Sequence, residues 1–383
     1  MAQPGPLSGI TVVDLSRILA GPYCTLLLAE LGARVIKVEA PNGGDDARQY
    51  GPFTNGKSTY FASVNRGKES IALDLKAAKD KEIFERLLDK ADAIVENFRP
   101  GTMERLGYGW DTLHKRYPRL IYAAASGFGH TGPYSHHPSY DMVVQGLGGI
   151  MSITGHPGGP VPRIGTSIGD LAGGLYTTIA LNAALLHREK TGEATKVDVA
   201  LFDCQLALLE NAIMRYTTSG EIPGPLGARH PSITPFEAFK TKDGELIIAA
   251  GNDGLWVKLT EALGHPELAQ NPDYKTNPLR NQHQAQLKAE LDAILSANTR
   301  DRWIEVLEAA GIPCGPVNNV AQALAHPQVE ARNMLIEVDD ATTGALKLAG
   351  NPMKFSAFED RATREAAPDL DADRAKILRE LGM

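Results

Sequence analysis

The chain has 383 residues, of which 43% are hydrophobic and 22% are charged, and its formal net charge is −7. A chain of this length buries a sizeable core without disulfides or metal ions, and it is long enough for about two domains. The acidic balance argues against a nucleic-acid binder, because such proteins carry a basic excess. A small phosphorylated ligand stays compatible with it, since that needs only a local group of cations.

The three cysteines, Cys24, Cys204 and Cys314, lie far apart and form no CxxC pair. This pattern favours a reducing, cytoplasmic setting and supports neither a disulfide framework nor a thiolate zinc site. The N-terminal residues lack the basic and apolar regions of a signal peptide. Small and polar residues interrupt the longest apolar stretch, 171–186, so we interpret it as a buried helix. We expect a soluble protein without a membrane partner.

The first hundred residues alternate apolar strands with helices. Strands are predicted at 10–15, 35–38, 70–75 and 93–98, and helices at 22–31 and 79–91. This βαβ order predicts a parallel sheet with helices on both faces. A stretch rich in Gly, Ser and Pro follows at 120–174. Loops at the strand ends of such sheets are where ligands bind.

The character of the sequence changes near residue 219. Before it we predict a helix at 175–187, a strand at 196–201 and a helix at 201–217. A proline-rich linker occupies 220–235, and strands at 236–240 and 245–250 flank Asp243-Gly244, which is a hairpin signal. Helices at 284–297 and 299–310 complete a smaller α+β domain. A strand at 353–358 and a helix at 371–381 end the chain.

Asp170 is the strongest candidate for a catalytic group. It stands between Gly169 and Leu171, where a glycine-rich loop meets an apolar helix. A helix N-cap is the simpler explanation of an aspartate there. The catalytic interpretation needs a carboxylate that can approach a carbonyl carbon, and we expect the neighbouring glycines to provide that space. With an ordinary pKa of about 3.9, such a carboxylate is ionised at neutral pH and attacks without a general base.

Other polar groups give weaker signals. The cations Arg66, Lys68, Lys76, Arg99 and Arg105 surround predicted strand ends, where they form either a phosphate site or an ordinary solvated surface. The histidines at 130, 136, 137 and 156 lack the spacing of metal ligands, so we predict no metal site. The residues alone therefore indicate an α/β enzyme with an exposed carboxylate.

Several short segments together resemble the class III CoA-transferases, the family of formyl-CoA transferase and carnitine CoA-transferase. They occur in the same order along essentially the whole chain: Leu19-Ala20-Gly21-Pro22, GARVIKVE at 32–39, VENFRPG at 95–101, GPY at 132–134, Gly169-Asp170 and HREKTG at 187–192. The resemblance implies a Rossmann-like, CoA-binding large domain with a parallel sheet, formed by 1–219 and 326–383. A linker and a small α+β domain at 220–325 would lie between these parts, and two subunits would form an interlocked homodimer.

The resemblance also implies a reaction. Asp170 would be the nucleophile, passing through an aspartyl anhydride and an aspartyl-CoA thioester, with coenzyme A entering as an acyl-CoA co-substrate and no tightly bound cofactor. The CoA contacts carried over by position are Leu19 and Ala20 at the pantetheine, Leu73, Asp74, Leu75 and Lys76 at the nucleotide, Asn97, Phe98, Arg99 and Arg105 at the nucleotide or phosphates, and His137, Pro138, Ser139 and Tyr140 at the thioester.

The family resemblance leaves alternatives for both the activity and the substrate. Racemases of the same superfamily carry a histidine where this chain has Tyr140, and a racemase needs a second acid/base that tyrosine supplies poorly near neutral pH. We therefore expect a transferase, with a 2-methylacyl-CoA racemase or a non-catalytic CoA-binding protein as alternatives. Residues 227–233 lack the glycine run of formyl-CoA transferases, and 230–244 resemble the branch that uses succinyl-CoA with glutarate or related dicarboxylates. Cations for the second carboxylate would be Arg17, Arg48, Arg229 or His230.

Overall fold

The computed structural model describes residues 4–383. Its strands are β1 Thr11–Asp14, β2 Arg34–Glu39, β3 Phe53–Thr54, β4 Lys57–Ser58, β5 Glu69–Ala72, β6 Ala93–Glu96, β7 Ile121–Ser126, β8 Lys196–Ala200, β9 Phe236–Lys240, β10 Glu245–Ala249, β11 Cys314–Pro316, β12 Leu335–Asp340, β13 Gly344–Ala349 and β14 Thr363–Arg364. Its helices are α1 Ala20–Glu30, α2 Thr59–Asn65, α3 Ala78–Leu88, α4 Thr102–Leu106, α5 Trp110–Arg116, α6 Asp141–Leu147, α7 Ile168–Thr191, α8 Leu201–Leu208, α9 Glu210–Ser219, α10 Asp253–Ala262, α11 Glu267–Gln270, α12 Asn277–Gln282, α13 Gln284–Leu295, α14 Arg300–Ala309, α15 Val320–Leu324, α16 Pro327–Ala331 and α17 Arg374–Glu380.

The chain divides into two compact units. The first unit takes the N-terminal part of the chain as far as Met151 and adds Arg163–Ile222 and Pro327–Met383. The second unit combines Ser152–Pro162 with Pro223–His326. The chain therefore leaves the first unit and returns to it, so that the C-terminal helix α17 belongs to the same unit as β1.

A six-stranded sheet in the order β5-β2-β1-β6-β7-β8 is the centre of the first unit. All its neighbouring strands are parallel, and on β1 Val13 lies opposite Ile36 of β2 and Ile94 of β6. Parallel strands require crossover connections, which place helices over both faces. The predicted parallel sheet with helices on both faces is confirmed.

Two apolar cores cover the two faces of this sheet. Val12 and Val13 are consecutive and fully buried, and they point into different cores because side chains alternate along a strand. Val13 packs in the core that holds Ile83 of α3 and Ile377 of α17. Val12 packs in the core that holds Leu181 of α7, together with residues of α1. The sheet thus forms the rigid base from which the strand-end loops project.

Helix α7 is the longest element, with 24 residues, and starts at Ile168, earlier than predicted. Leu181 and Leu185 are buried, whereas Leu175, Ile179 and Leu186 on another face are exposed. The helix ends at Gly192, whose φ of 82° is a left-handed C-terminal conformation that glycine adopts without strain. Within residues 4–383, no helix is long and apolar enough to cross a membrane.

The structure corrects three secondary-structure predictions. Strand β7 lies in a stretch that we treated as loops. The predicted strand at 353–358 is wrong, because that segment is irregular and the nearby strands are β12 and β13, which pair antiparallel. The predicted helix at 201–217 is interrupted at Leu209, between α8 and α9.

The second unit contains an antiparallel sheet in the order β11-β10-β9. The predicted hairpin is confirmed: β9 and β10 pair antiparallel around Asp243-Gly244. Leu287, Leu291 and Leu295 form the buried face of α13, at the four-residue spacing of an amphipathic helix. Trp303 of α14 closes this core, and its indole N–H donates to the Leu295 carbonyl at 2.7 Å.

Candidate active site

Polar side chains of the first unit line a cleft at the carboxyl ends of β1, β6 and β7. We call it cleft 1, and its volume is about 660 Å³, counting the part open to solvent. Its lining residues come from the end of β7, from the loops that follow the three strands, and from the first turns of α1, α7 and α8: Arg17, Ile18, Leu19, Ala20, Asn97, Phe98, Arg99, Pro100, Ala125, Ser126, Gly127, Ser135, His137, Ser139, Tyr140, Asp170 and Leu201. Strand carboxyl ends are the usual ligand-binding edge of α/β sheets.

Asp170 lies in the first turn of α7 and is half-buried. The N-cap residue is Ser167, and its side chain makes no capping hydrogen bond. The carboxylate of Asp141 fills that role, because its Oδ1 accepts from the backbone N–H of Gly169 at 2.8 Å and of Asp170 at 3.4 Å. Asp170 is therefore not the N-cap, and its own carboxylate makes no contribution to capping the helix.

The surroundings of Asp170 shift its pKa away from that of an ordinary aspartate. Burial, and secondly the nearby negative charge of Asp141, raise the pKa of Asp170 to about 7. Near neutral pH the group therefore divides between its neutral and ionised forms. The positive end of the α7 helix dipole opposes this rise, because it favours the ionised form.

Asp141 is held by its own helix. The amide Nε2 of Gln145, one turn along α6, donates to Asp141 Oδ2 at 2.7 Å. The amide oxygen Oε1 of Gln145 accepts the backbone N–H of Ile164 at 3.0 Å. Through these bonds, Gln145 of α6 fixes the segment that leads into α7, and Asp141 fixes the first turn of α7. Asp141 was not predicted as a functional residue, because it begins a helix, α6, in a stretch that was interpreted as loops.

The glycines beside Asp170 serve helix packing. A β-carbon at Gly169 would lie 2.8 Å from Val144 Cγ2, and one at Gly174 would lie 2.7 Å from the Ala20 carbonyl oxygen. Both distances are shorter than van der Waals contact allows. The expectation that these glycines make room for a substrate is therefore wrong: they let α7 approach α6 and α1 closely.

The loop after β1 is held in a strained conformation. Ile18 has a φ of 70°, which a β-branched residue rarely adopts. Its backbone N–H donates to Asp45 Oδ1 at 2.9 Å, and Asp45 is paired with the buried Lys37 at 2.9 Å. The side-chain amide of Asn97 accepts from the Arg17 N–H at 2.8 Å and donates to the Arg17 carbonyl at 2.7 Å. These bonds fix the loop that forms one wall of cleft 1.

A second cleft adjoins the first, with Arg17 and Phe98 common to both. We call it cleft 2, and its volume is about 1030 Å³, counting open solvent. Its lining residues follow β1, β2, β5 and β6: Leu15, Ser16, Arg17, Val38, Glu39, Ala40, Pro41, Asn42, Gly43, Gly44, Asp45, Asp46, Gln49, Leu73, Asp74, Leu75, Lys76, Phe98 and Leu106.

The structure brings most of the residues proposed as CoA contacts to these two clefts. Those that line cleft 1 are Leu19, Ala20, Asn97, Phe98, Arg99, His137, Ser139 and Tyr140, and those that line cleft 2 are Leu73, Asp74, Leu75 and Lys76, with Phe98 again. Pro138 does not line either cleft, although both of its neighbours line cleft 1. Arg105 also lies outside both linings, is exposed, and donates to Thr102 Oγ1 at 2.9 Å.

The four cations proposed for a substrate carboxylate are in different surroundings. Arg17 lines cleft 1 and is exposed. Arg48 does not line it, and both ends of its guanidinium fork are bound by Glu39, at 2.7 and 2.8 Å. Arg229 and His230 belong to the second unit. There Arg229 donates to Asn281 and Gln284, and the His230 ring accepts backbone N–H groups.

Two of the cations proposed for phosphate are internal. Lys68 is fully buried, where its ammonium donates to Asp14 Oδ2 at 3.1 Å and to Thr25 Oγ1 at 2.7 Å. Arg66 is also buried and donates to Glu30 Oε1 at 2.9 Å. The proposed cation cluster is therefore wrong for these two residues. Among residues 4–383, no group of three or more His, Cys, Asp or Glu side chains could hold a metal ion.

Comparison with known proteins extends these observations. A model of the family described as CoA-transferase family III matches residues 7–374. The acetyl-CoA:oxalate CoA-transferase of Acetobacter aceti is 45% identical across 99% of this chain and 97% of its own length. The succinate–glutarate CoA-transferase of Agrobacterium fabrum is 38% identical across 98% of this chain and 96% of its own.

A solved structure agrees over the same extent. The crystal structure of a CAIB/BAIF family protein from Brucella suis has a TM-score of 0.86 to this chain at 40% identity, and covers 99% of this chain and 100% of the other. The relatives named as CoA-transferases match over nearly the full length of the chain, which favours a transferase over a racemase or a CoA-binding protein without activity. The chain belongs to CoA-transferase family III and is a CoA-transferase.

Proposed function

We propose that this enzyme moves CoA from an acyl-CoA to a dicarboxylic acid, with the Asp170 carboxylate as nucleophile. The observation that carries this proposal is the position of Asp170, which is the one acidic side chain among the described residues lining cleft 1. It is half-buried at a helix N-terminus. A carboxylate there faces an acyl group without competition from another acid.

The proposed reaction exchanges bonds without an external energy source. Asp170 Oδ attacks the donor thioester, which releases CoA thiolate and forms a mixed anhydride. The thiolate attacks the aspartyl carbonyl, which releases the donor acid and leaves an aspartyl-CoA thioester. The acceptor carboxylate attacks this thioester, which releases CoA thiolate again and forms a second anhydride with Asp170. The thiolate then attacks the acceptor acyl carbon, which gives the new acyl-CoA and restores Asp170.

The two clefts supply a place for an elongated ligand. The thioester end of CoA would lie in cleft 1 beside Leu19, and its nucleotide would lie in cleft 2 near Leu73 and Lys76. Arg17 and Phe98 would contact the middle of the ligand, because they line both clefts. Water must be excluded from cleft 1 during the reaction, since it would hydrolyse the activated aspartyl group.

We assign succinyl-CoA and glutarate as the first substrate pair. Residues 230–244 resemble the branch that uses them, and the relative named for succinate and glutarate is 38% identical. The second candidate pair is acetyl-CoA and oxalate, because the relative named for these is 45% identical. Both acceptors are dicarboxylates. Arg17 is the proposed cation for the distal carboxylate, since it is exposed in cleft 1 and its present partner is the side chain of Asp46.

We also propose an interlocked homodimer. Helix α7 exposes Leu175, Ile179 and Leu186 to 45%, 64% and 57%, and their spacing places these large apolar side chains on one open face, as at protein–protein interfaces. The helices α9 and α15, which flank two of the four connections between the units, have no buried residue. Val320 of α15 is 76% exposed. A second copy of the chain would cover the exposed residues of these helices.

The function is tested by incubating the enzyme with succinyl-CoA or acetyl-CoA and a panel of acids in deuterated water. The panel contains oxalate and glutarate, with acetate and butyrate as monocarboxylates, and mass spectrometry measures every CoA ester. We expect CoA esters of a dicarboxylate without deuterium, and a loss of at least about 1000-fold in Asp170→Ala. Deuterium at an α-carbon without a new ester would refute transfer.

The same assay tests the acceptor cation. Arg17→Ala is expected to raise the KM of the dicarboxylate about tenfold or more relative to that of a monocarboxylate, because a charge-assisted hydrogen bond is lost. Arg119→Ala is the matched control, since Arg119 is 58% exposed and its partner, Glu189, also lies outside cleft 1. Equal effects of Arg17→Ala on both classes of acid would place the carboxylate elsewhere.

A further inference from the structure

A buried carboxylate lies directly behind the wall of cleft 1. Glu96 is the last residue of β6 and is 2% exposed. Its Oε2 accepts the backbone N–H of Phe98 at 2.7 Å, and its Oε1 accepts the hydroxyl of Tyr122 at 2.8 Å. Phe98 lines both clefts. Glu96 therefore bonds directly to the backbone of a ligand-facing residue although it does not line either cleft itself.

His130 approaches the same carboxylate from the loop after β7. Its Nδ1 lies 3.0 Å from the ammonium of Lys196, which can only donate, so Nδ1 accepts and the ring proton is on Nε2. Nε2 lies 3.7 Å from Glu96 Oε1 and has no hydrogen-bond partner. The backbone N–H of His130 donates to Asp198 at 3.0 Å. The imidazole is thus anchored to β8 with its free N–H beside Glu96.

The charged and titratable groups around Glu96 come from several elements. Burial is the largest influence and raises the pKa of Glu96 to about 7; Glu104 of α4 also raises it, whereas the bonds from Phe98 and Tyr122 and the charge of Lys196 lower it. Burial, and secondly Lys196, lower the pKa of His130, while Asp198 and Glu104 raise it. The ring therefore stays neutral while the carboxyl ionises near neutral pH.

Glu96 contacts two loops that both line cleft 1. Residues 97–100 contribute Asn97, Phe98, Arg99 and Pro100, and residues 127–140 contribute Gly127, Ser135, His137, Ser139 and Tyr140. We propose that Glu96 is a positioning residue whose ionised carboxylate holds these two loops together and so shapes the wall against which CoA lies. The proposal rests on the proposed function only in taking CoA as the ligand of the clefts.

The ionised form suits this role better than the neutral one. A carboxylate accepts hydrogen bonds at both oxygens, from Phe98 and Tyr122 as observed and from the free N–H of His130 after a small approach. Bonds to a charged acceptor are roughly twice as strong as neutral ones. A protonated carboxyl or a glutamine amide offers these donors one strong acceptor oxygen instead of two. CoA affinity should therefore increase as the pH rises through the range in which Glu96 ionises.

The test is calorimetric measurement of CoA affinity from pH 5.5 to 8.5 in two proteins, Asp170→Ala and Asp170→Ala with Glu96→Gln. The shared Asp170→Ala change removes the titration of the nucleophile, and the titration of CoA itself is common to both proteins. We expect the two proteins to have similar Kd values at pH 5.5. At pH 8.5 we expect the protein with Glu96→Gln to have a Kd about fivefold higher than the protein that keeps Glu96. Glu237→Gln, a buried glutamate of the second unit, is the control and should leave Kd unchanged across the range.

Each outcome has a distinct meaning. Equal Kd values with and without Glu96→Gln at every pH would overturn the positioning role. Tighter CoA binding in Glu96→Gln at pH 8.5 would also overturn it, because Glu96 would then act only as a charge that repels an anionic ligand. A protein that keeps Glu96 but binds no CoA at any pH would refute the proposed function instead. Equal thermal unfolding midpoints of the two proteins would show that a weaker Kd is not a folding defect.

Discussion

Replacing Asp170 with asparagine should stabilise the folded protein while abolishing transfer. The carboxyl lies in a half-buried site beside Asp141, and its ionisation is therefore less favourable in the folded protein than in the unfolded chain. Asparagine has nearly the same shape and carries no charge. The cost of ionisation disappears, whereas the capping bonds that Asp141 makes to the first turn of α7 stay in place.

The size of the effect follows from the pKa. The pKa of Asp170 rises from 3.8 in the unfolded chain to about 7 in the folded protein. Its ionisation therefore lowers the free energy of unfolding by about 4 kcal/mol. Partial access to water reduces this, so we expect Asp170→Asn to gain about 2–4 kcal/mol at pH 8.5. The folded wild type binds more protons than its unfolded chain between these pKa values, so its stability falls as the pH rises through that window. At pH 4.5 the gain shrinks to about 1 kcal/mol or less.

Urea unfolding of both proteins at pH 4.5 and 8.5, at one protein concentration, measures this difference. Asp111→Asn is the matched control, because Asp111 also lies in a first helical turn but is exposed. Its variant should gain nothing at either pH. If Asp170→Asn is no more stable than wild type at pH 8.5, or gains equally at both pH values, the raised pKa of Asp170 and the reasoning built on it are wrong.

Three further changes test the surroundings of the site. Asp141→Asn keeps the capping oxygen but removes the charge, so the acidic limb of the kcat/KM profile should move to lower pH by about one unit; an unchanged limb would show that this charge has no influence. Gly169→Ala, whose β-carbon would lie 2.8 Å from a neighbouring side chain, should lower the free energy of unfolding in urea by about 1–3 kcal/mol, whereas Gly165→Ala, with nothing within 4 Å, should be neutral. Ile179→Glu, which would bury an unpaired charge in the proposed interface, should convert the proposed dimer to a monomer in sedimentation velocity, and a dimer that persists would place the interface elsewhere.

The sheet could be predicted where strands and helices differ clearly in sequence. β1 and β2 are short apolar runs rich in valine and isoleucine, and α3 repeats apolar residues at helical spacing. β7 was missed because its centre is Ala123, Ala124 and Ala125, which have little strand preference, and because glycines and serines follow it. Its place in the sheet depends on burial between β6 and β8, and local sequence does not report that burial.

The position of Asp170 at the start of a helix could be predicted, but its chemistry could not. Its pKa depends first on burial and then on Asp141, and Asp141, 29 residues away in sequence, also caps its helix. The same limit applies to the cations proposed for phosphate. Local sequence does not distinguish Lys68 from Lys76, yet Lys68 is buried against Asp14 and Lys76 lines cleft 2. Local pattern identifies candidate groups, whereas their partners are set by the long-range packing of the sheet.

The return of the chain to its first unit has a consequence for biosynthesis. Helix α17 covers one face of the sheet with Ile377, and Asp373 exchanges backbone and side-chain hydrogen bonds with Ser70 of β5. Ser70 and Asp373 are 303 residues apart in sequence, so the core that begins at β1 is completed only after the second unit has been synthesised. Contacts between such distant parts of a chain form slowly and leave apolar surface uncovered in the meantime. Until α17 docks, the apolar face of the sheet that Ile377 covers stays open in the nascent chain.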